Sequence, residues 1–194
     1  MKLGSEPDVR VRIGYDGASH RTAQGARVSA TLENTIDNDD YAVFIVDTRI
    51  VVLVWKQPPS LAGVTDCRRL FQQVRTKRPG DKFGYLAIVE SRAGTNMPAD
   101  VRDALTLLLR EYQGAIAASA IVFEGTGFRA SIVRSVVSAI NLATRLEFSS
   151  TVESDLTVGA SWLMDRVKGS KLTATSLVAA VNGFRRRWNP GLTG

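Results

Sequence analysis

Four apolar runs constrain this fold more than any other feature of the sequence. They are continuous stretches rich in β-branched and aromatic residues, at 41–46, 50–55, 83–89 and 117–123. Such runs are typical of strands that are covered on both faces of a sheet. Segments with apolar residues at helical spacing follow the last three runs. The sequence therefore predicts an α/β fold with a mostly parallel sheet and helices packed against it.

The polar breaks between the runs predict where elements begin and end. Asp47-Thr48-Arg49 separates the first two runs and has the length of a hairpin loop, so the sheet opens with an antiparallel hairpin. Ser60 is a suitable N-cap for the first helix, which ends before Pro79-Gly80. Pro98 is well placed near the first turn of the second helix. Order is expected to begin at Tyr41.

The alternation continues to the C-terminus. A third helix follows the fourth apolar run, a short strand is predicted from Phe148 to Val152, and Ser154 or Asp155 caps a fourth helix. Beyond Gly169-Ser170, Leu177, Val181, Phe184 and Trp188 recur at helical intervals and predict a C-terminal amphipathic helix. The expected architecture is thus a hairpin-opened, mostly parallel sheet, four helices and this last helix.

Composition divides the chain into three segments. Residues 1–40 are net acidic and rich in Gly, Ser, Thr, Asn and Asp, whereas the remainder is basic and gives the whole chain a net charge of +6. We predict a partly disordered N-terminal segment (1–40), an α/β domain (41–168), and a C-terminal helix and tail (169–194). The basic surface suits an acidic protein, nucleic acid or anionic lipid, or serves only solubility.

The sequence contains few of the side chains that are common in catalytic sites, which argues against an enzyme. Cys67 is the single cysteine and His20 the single histidine, so a zinc cluster or a histidine-based catalytic site is not expected. Cys67 lies on the apolar stripe of the first helix and is predicted to be a core residue. No metal, cofactor, signal peptide or membrane span is expected, and the predicted location is the cytoplasm.

Two acidic residues follow neighbouring predicted strands. Glu90 and Glu124 each stand at the carboxyl end of a parallel strand, the edge at which open α/β sheets bind ligands. Together with Asp47 they could line one crevice and serve acid–base chemistry or a divalent cation. Salt bridges to Arg92 and Arg129 are the simpler alternative.

A glycine turn follows Glu124. Gly125-Thr126-Gly127 joins a buried strand to a helix, where backbone amides can approach an anion with help from Arg129. It lacks the third glycine of a dinucleotide-binding motif and the lysine of a P-loop. An ordinary tight turn is therefore the alternative to an anion or ligand site.

Basic and aromatic residues end the C-terminal helix. Phe184-Arg185-Arg186-Arg187-Trp188 is a candidate partner-binding segment, and three arginines between aromatics could also contact phosphates and bases. The apolar stripe through Leu177 and Val181 instead predicts docking on the chain's own domain or on another protein. A protein partner is favoured over nucleic acid. The open hairpin edge also permits a homo-oligomer by strand addition.

The element order over about 41–168 resembles the STAS domain of anti-sigma-factor antagonists and SpoIIAA-like proteins. The resemblance is carried by YAVFIVDTRIVVLVW, VFEGTGFRASIVRS and DLTVGASWL. It implies a non-enzymatic switch that binds a partner protein, and in the antagonists a kinase phosphorylates a serine where the central strand meets the second helix. The corresponding segment here, 88–98, has Ser91 and Thr95 as its hydroxyls and lacks the Asp-Ser-Ser-Gly-type signature.

A phosphate on Ser91 or Thr95 would meet the positive end of a helix dipole and could act as a switch. The alternative is that these hydroxyls cap the helix or bond to the loop backbone. We therefore expect a non-enzymatic STAS-like regulatory or protein-interaction module in bacterial signalling or assembly. The alternatives are a small-ligand or phosphoester enzyme that uses the strand-end crevice, and a nucleic-acid-binding protein.

Overall fold

Six strands form one mixed sheet in the computed structural model, which describes residues 30–125, 131–140 without 134 and 136, and 146–191. The strands are β1 (Leu32–Asp37), β2 (Tyr41–Val46), β3 (Ile50–Trp55), β4 (Phe83–Val89), β5 (Ile116–Phe123) and β6 (Ser149–Glu153). They lie in chain order across the sheet. β2 is antiparallel to both of its neighbours, β1 and β3, and β3 to β6 are parallel.

Five α-helices are described. They are α1 (Leu61–Lys77), α2 (Ala99–Tyr112), α3 (the described helical residues between 131 and 140), α4 (Leu156–Met164) and α5 (Ala174–Arg185). The predicted α/β class, with an antiparallel hairpin followed by parallel strands, is confirmed. The strands at 41–46, 50–55 and 83–89 have the predicted bounds.

Helices cover both faces of the sheet. The crossovers through α1, α2 and α3 each step to the next strand in the same direction, so right-handed connections put all three helices on one face. α4 and α5 return over the opposite face. Alternate strand residues therefore enter different cores: Val43 and Leu53 pack on the α1 side, and Phe44 and Val52 pack on the α5 side. Continuous apolar runs arise because both faces are buried.

The sequence predicts no strand at β1, which lies inside the segment 1–40. Ordered structure begins before Tyr41, since β1 pairs with β2 from Leu32↔Val46 to Asp37↔Ala42. The register is irregular between Glu33 and Ile36, where Asn34 has a φ of 49°. A weakly apolar edge strand is stabilised by backbone pairing more than by its own side chains, so its sequence pattern is faint.

Helix N-termini test three of the predicted boundaries. Ser60 caps α1 by accepting a hydrogen bond from Gly63 N at 3.4 Å, and Asp155 caps α4 by accepting from Val158 N at 3.0 Å. Both predictions are confirmed. Pro98 is the N-cap of α2, directly before its first turn, and it supplies no side-chain hydrogen bond.

Cys67 is a core residue, as predicted. Its side chain is fully buried in α1, and burial raises the pKa of its thiol, although a hydrogen bond with Tyr85 acts in the opposite direction. A buried, protonated thiol is a poor nucleophile.

We expect Cys67 to be inert toward a thiol reagent such as Ellman's reagent in native buffer at pH 8 and to react stoichiometrically in guanidinium chloride. A Leu107→Cys variant provides the matched control, because Leu107 is 59% exposed and a thiol there reacts in the folded state. Rapid labelling of the native wild-type protein would contradict the burial of Cys67.

Candidate functional site

Three charged residues follow three adjacent parallel strands. Lys56, Glu90 and Glu124 come directly after the last residues of β3, β4 and β5, and those last residues are register partners. The last strand residues face α1 and α2. Alternation therefore directs the next side chains to the opposite face, where α5 packs. The carboxyl edge of the sheet thus carries one cation and two carboxylates on one side.

Arg185 of α5 lies between the two carboxylates. Its Nη1 and Nη2 donate to Oε1 and Oε2 of Glu124 at 2.7 and 2.6 Å, which is a bidentate pair. Its Nη2 and Nε also donate to Oε1 of Glu90, at 3.0 and 3.3 Å. Arg185 is 1% exposed, so the guanidinium is almost wholly removed from water. Bidentate, charge-assisted contacts of this kind are among the stronger hydrogen bonds in proteins.

Trp188 and Lys56 extend this arrangement. Trp188 Nε1 donates to Oε1 of Glu90 at 3.1 Å, and Lys56 Nζ lies 3.8 Å from the centre of a Trp188 ring. Lys56 also pairs with Asp37 of β1 at 2.6 Å and donates to the backbone oxygen of Asn38. We call Lys56, Glu90, Glu124, Arg185 and Trp188 the Arg185 cluster.

Charges within and around the Arg185 cluster are matched. Arg92 Nε donates to Oε2 of Glu90 at 2.8 Å, so Glu90 receives donors on both oxygens. Burial by itself would lower the pKa of Arg185, but the hydrogen bonds and charges of Glu124 and Glu90 raise it above its usual value. The guanidinium therefore stays charged at every physiological pH.

The apolar face of α5 brings Arg185 to this edge. Leu177, Val181 and Phe184 are buried against the sheet, and the Phe184 ring lies 4.4 Å from that of Phe44. Thr173 caps the helix by accepting from Ser176 N at 3.1 Å. Once the stripe is docked, the residue after Phe184 is held over the carboxyl ends of β4 and β5.

Glu90 and Glu124 share one site, as the strand-end interpretation expects. Asp47 does not join them, which corrects that expectation. The hairpin turn precedes β3 and so lies at the amino ends of the parallel strands, where Asp47 approaches Ser170 Oγ at 3.4 Å. The salt bridge between Glu90 and Arg92 is present. A ligand-binding role for the two carboxylates stays a prediction.

The glycine turn is described only at its first residue. A Cβ on Gly125 would lie 2.3 Å from the Phe123 ring, so close packing accounts for glycine at this position. Thr126, Gly127 and Arg129 lie outside the described residues, and their predicted anion or ligand contacts stay predictions.

Neither hydroxyl of the candidate switch caps α2. Ser91 is exposed and begins a short 3-10 turn, Ser91–Ala93, and Thr95 is half-buried in the following loop. The N-cap of α2 is Pro98, which corrects the helix-capping half of the alternative for these hydroxyls; their bonding to the loop backbone stays a prediction. Phosphorylation at Ser91 or Thr95 stays a prediction.

The candidate partner-binding segment divides into two parts. Phe184 and Arg185 are buried in contact with the chain's own sheet, which is the internal docking that the apolar stripe favours. Arg186 and Arg187 are exposed, and Trp188 is half-buried. A partner that binds the chain in this conformation can therefore contact Arg186, Arg187 and Trp188, but not the buried side chains of Phe184 and Arg185.

Sequence reasoning misses Lys56 and Asp37. Lys56 stands immediately after a strongly apolar strand, in register with Glu90 and Glu124. A charged residue after each of three successive runs is a signal that could have placed it at this edge. Asp37 belongs to the unpredicted β1, and its sequence neighbours carry no comparable signal.

The arrangement can hold α5 on the sheet, but acid–base use of Glu90 or Glu124 would first require displacement of Arg185. No group of three or more His, Cys, Asp or Glu side chains is placed to hold a metal ion in the part of the chain that the structure describes. Among the helices described here, none has the length and apolarity needed to cross a membrane.

Comparison with known proteins yields no matching family model, no matching curated protein and no matching solved structure.

Proposed function

We propose that this chain is a non-enzymatic, STAS-like regulatory module that acts by binding a protein partner. One observation supports this proposal most directly. The edge at which open α/β sheets bind ligands is filled by the chain's own Arg185, which engages both Glu90 and Glu124. A filled and charge-balanced edge suits a module that presents a surface better than an enzyme that admits a polar substrate there.

The partner surface in this proposal is the exposed segment that follows α5. Arg186 and Arg187 come directly after this helix, which the Arg185 cluster fixes in place, and Arg187 stacks on the Phe184 ring at 4.5 Å. A rigidly held pair of cations favours a partner with an acidic surface. Bacterial signalling and a cytoplasmic location belong to the same proposal; a lone cysteine is compatible with a reducing compartment.

The experiment compares capture by the wild-type chain with capture by an Arg186→Glu/Arg187→Glu variant. An Arg75→Glu/Arg102→Glu variant is the control, because it makes the same change in net charge at exposed positions of α1 and α2. We expect at least one protein to be lost from the first variant and retained by the control, and to form a complex of fixed stoichiometry when purified.

Failure to find such a protein, together with a monomeric mass by light scattering, would contradict the proposal. Capture of nucleic acid whose affinity falls steeply with salt would favour the nucleic-acid alternative. The enzyme alternative requires that Arg185 leave the two carboxylates, and it would gain support if a substrate or cation displaced α5.

A further inference from the structure

A cavity of about 80 Å³ lies on the face of the sheet opposite the Arg185 cluster. Its floor is formed by β4 and β5, and its walls are formed by α2 and α3. The residues that define it most closely are Tyr85, Ala87, Ser119, Leu105, Leu109 and Val137. Apart from a few hydroxyl and loop groups, this lining is apolar.

Two small side chains create the cavity. On this face, β4 carries Tyr85, Ala87 and Val89, and β5 carries Ser119 and Ile121. Ala87 pairs with Ile121 and Ser119 pairs with Tyr85, so the two small residues are diagonal neighbours. Because each of these side chains is small, the space that a larger side chain would fill stays empty at both positions. The two empty spaces join into one cavity between the strands and the helices that pack on them.

Three residues that carry hydroxyl groups, called here the hydroxyl row, are neighbours across the cavity floor. Tyr85, Ser119 and Ser150 are successive register partners on β4, β5 and β6, and all three line the cavity. Ser119 is 2% exposed and lies between the other two, on the strand that pairs with both β4 and β6. A serine hydroxyl can both donate a hydrogen bond to an incoming oxygen and accept one from it.

The cavity reaches the surface at the loop between β4 and α2. Thr95, Asn96 and Met97 line it, and Asn96 is exposed. A small molecule can therefore approach the hydroxyl row beneath this loop.

We propose that this cavity binds a small, mainly apolar molecule that carries one alcohol or carbonyl oxygen directed at Ser119. The volume is several times that needed by one water and about half that of a cavity known to hold benzene, so a chain of roughly four carbons fits with one end in the opening beneath the loop. The apolar walls take the hydrocarbon part, and the hydroxyl row takes the oxygen. This site is separate from the surface of the proposed partner.

The test is a titration of the full chain with 1-butanol, followed by NMR of its methyl groups. We expect saturable shifts at Ala87, Val137 and Leu109. Ser119→Ala should weaken binding about two- to twelve-fold, the range for one net hydrogen bond. The same variant should leave binding of 1-chlorobutane, a poor hydrogen-bonding partner, unchanged. Ser161→Ala, at an exposed position of α4, is the matched control.

Ala87→Leu fills the space and should abolish binding of both probes. Val137→Met fills it from α3 and replaces Ala87→Leu if that variant does not fold. Shifts that do not saturate, or that persist in a filled variant, would overturn the site. Equal affinity of wild type and Ser119→Ala for 1-butanol would overturn the assignment of the oxygen to Ser119.

Discussion

Replacement of Arg185 by methionine is expected to lower the free energy of unfolding by about 3 kcal/mol, the lower end of the range for breaking a buried ion pair. The reason is that Glu90, whose side chain is 5% exposed, loses its buried cation while its own charge stays desolvated. Arg92 and Trp188 still donate to Glu90, and Glu124 is 28% exposed, which limits the loss. The change in the free energy of unfolding is measured by urea denaturation monitored by circular dichroism.

Two further variants make this result specific. Arg187→Ala removes an exposed arginine two residues away and should cost less than about 1 kcal/mol, the range for an exposed cation–π contact. The triple variant Arg185→Met/Glu90→Gln/Glu124→Gln should recover most of the loss, since no unpaired buried charge remains. A loss for Arg185→Met no larger than that for Arg187→Ala would show that α5 docks without the Arg185 cluster.

Phe71→Ala is expected to lower the free energy of unfolding by about 3–5 kcal/mol, the range for removing a buried phenylalanine. Phe71 is fully buried at the centre of the apolar face of α1. Its ring makes edge contacts with the rings of Phe83, Tyr85 and Tyr112, at centroid distances of 4.9, 5.2 and 5.3 Å. Truncation leaves a void bounded by three rigid rings, which cannot collapse into it easily. The same urea titration measures the change.

Leu107→Ala is the control for Phe71→Ala. Leu107 is on the neighbouring helix α2 but is 59% exposed, so its truncation should change stability by no more than about 0.5 kcal/mol. If the two variants were equally stable, the aromatic group around Phe71 would not be the centre of the α1 core.

The Arg185 cluster joins parts of the chain that are distant in sequence. Glu90 and Arg185 are 95 residues apart, and Lys56 connects the same cluster to Asp37 of β1. The helix α5 and the strand β1 are therefore attached to the α/β domain through the same charged edge. Partner binding at Arg186 and Arg187 would act on a helix that is already anchored at its last turn.

The strands with continuous apolar runs were predictable because burial on both faces demands apolar residues at every position, as in β2, β3 and β4. The N-caps Ser60 and Asp155 were predictable because each side chain bonds to backbone a few residues away. Strand direction indicated that Glu90 and Glu124 could face one crevice, although salt bridges to Arg92 and Arg129 were the simpler interpretation. Asp47 was misplaced because it lies in the turn before β3. That turn is at the amino ends of the parallel strands, whereas Glu90 and Glu124 follow the carboxyl ends.

The sequence by itself thus determined the elements whose stability is local or whose burial is complete, and it placed Glu90 and Glu124 at the carboxyl ends of neighbouring strands. Only the tertiary structure decided β1, which depends on pairing with β2, and the position of Arg185, which depends on how α5 lies across the opposite face. The physical reason is range: hydrophobic period and capping act within a few residues, whereas an ion pair across 61 residues, from Glu124 to Arg185, forms only after the helix has docked.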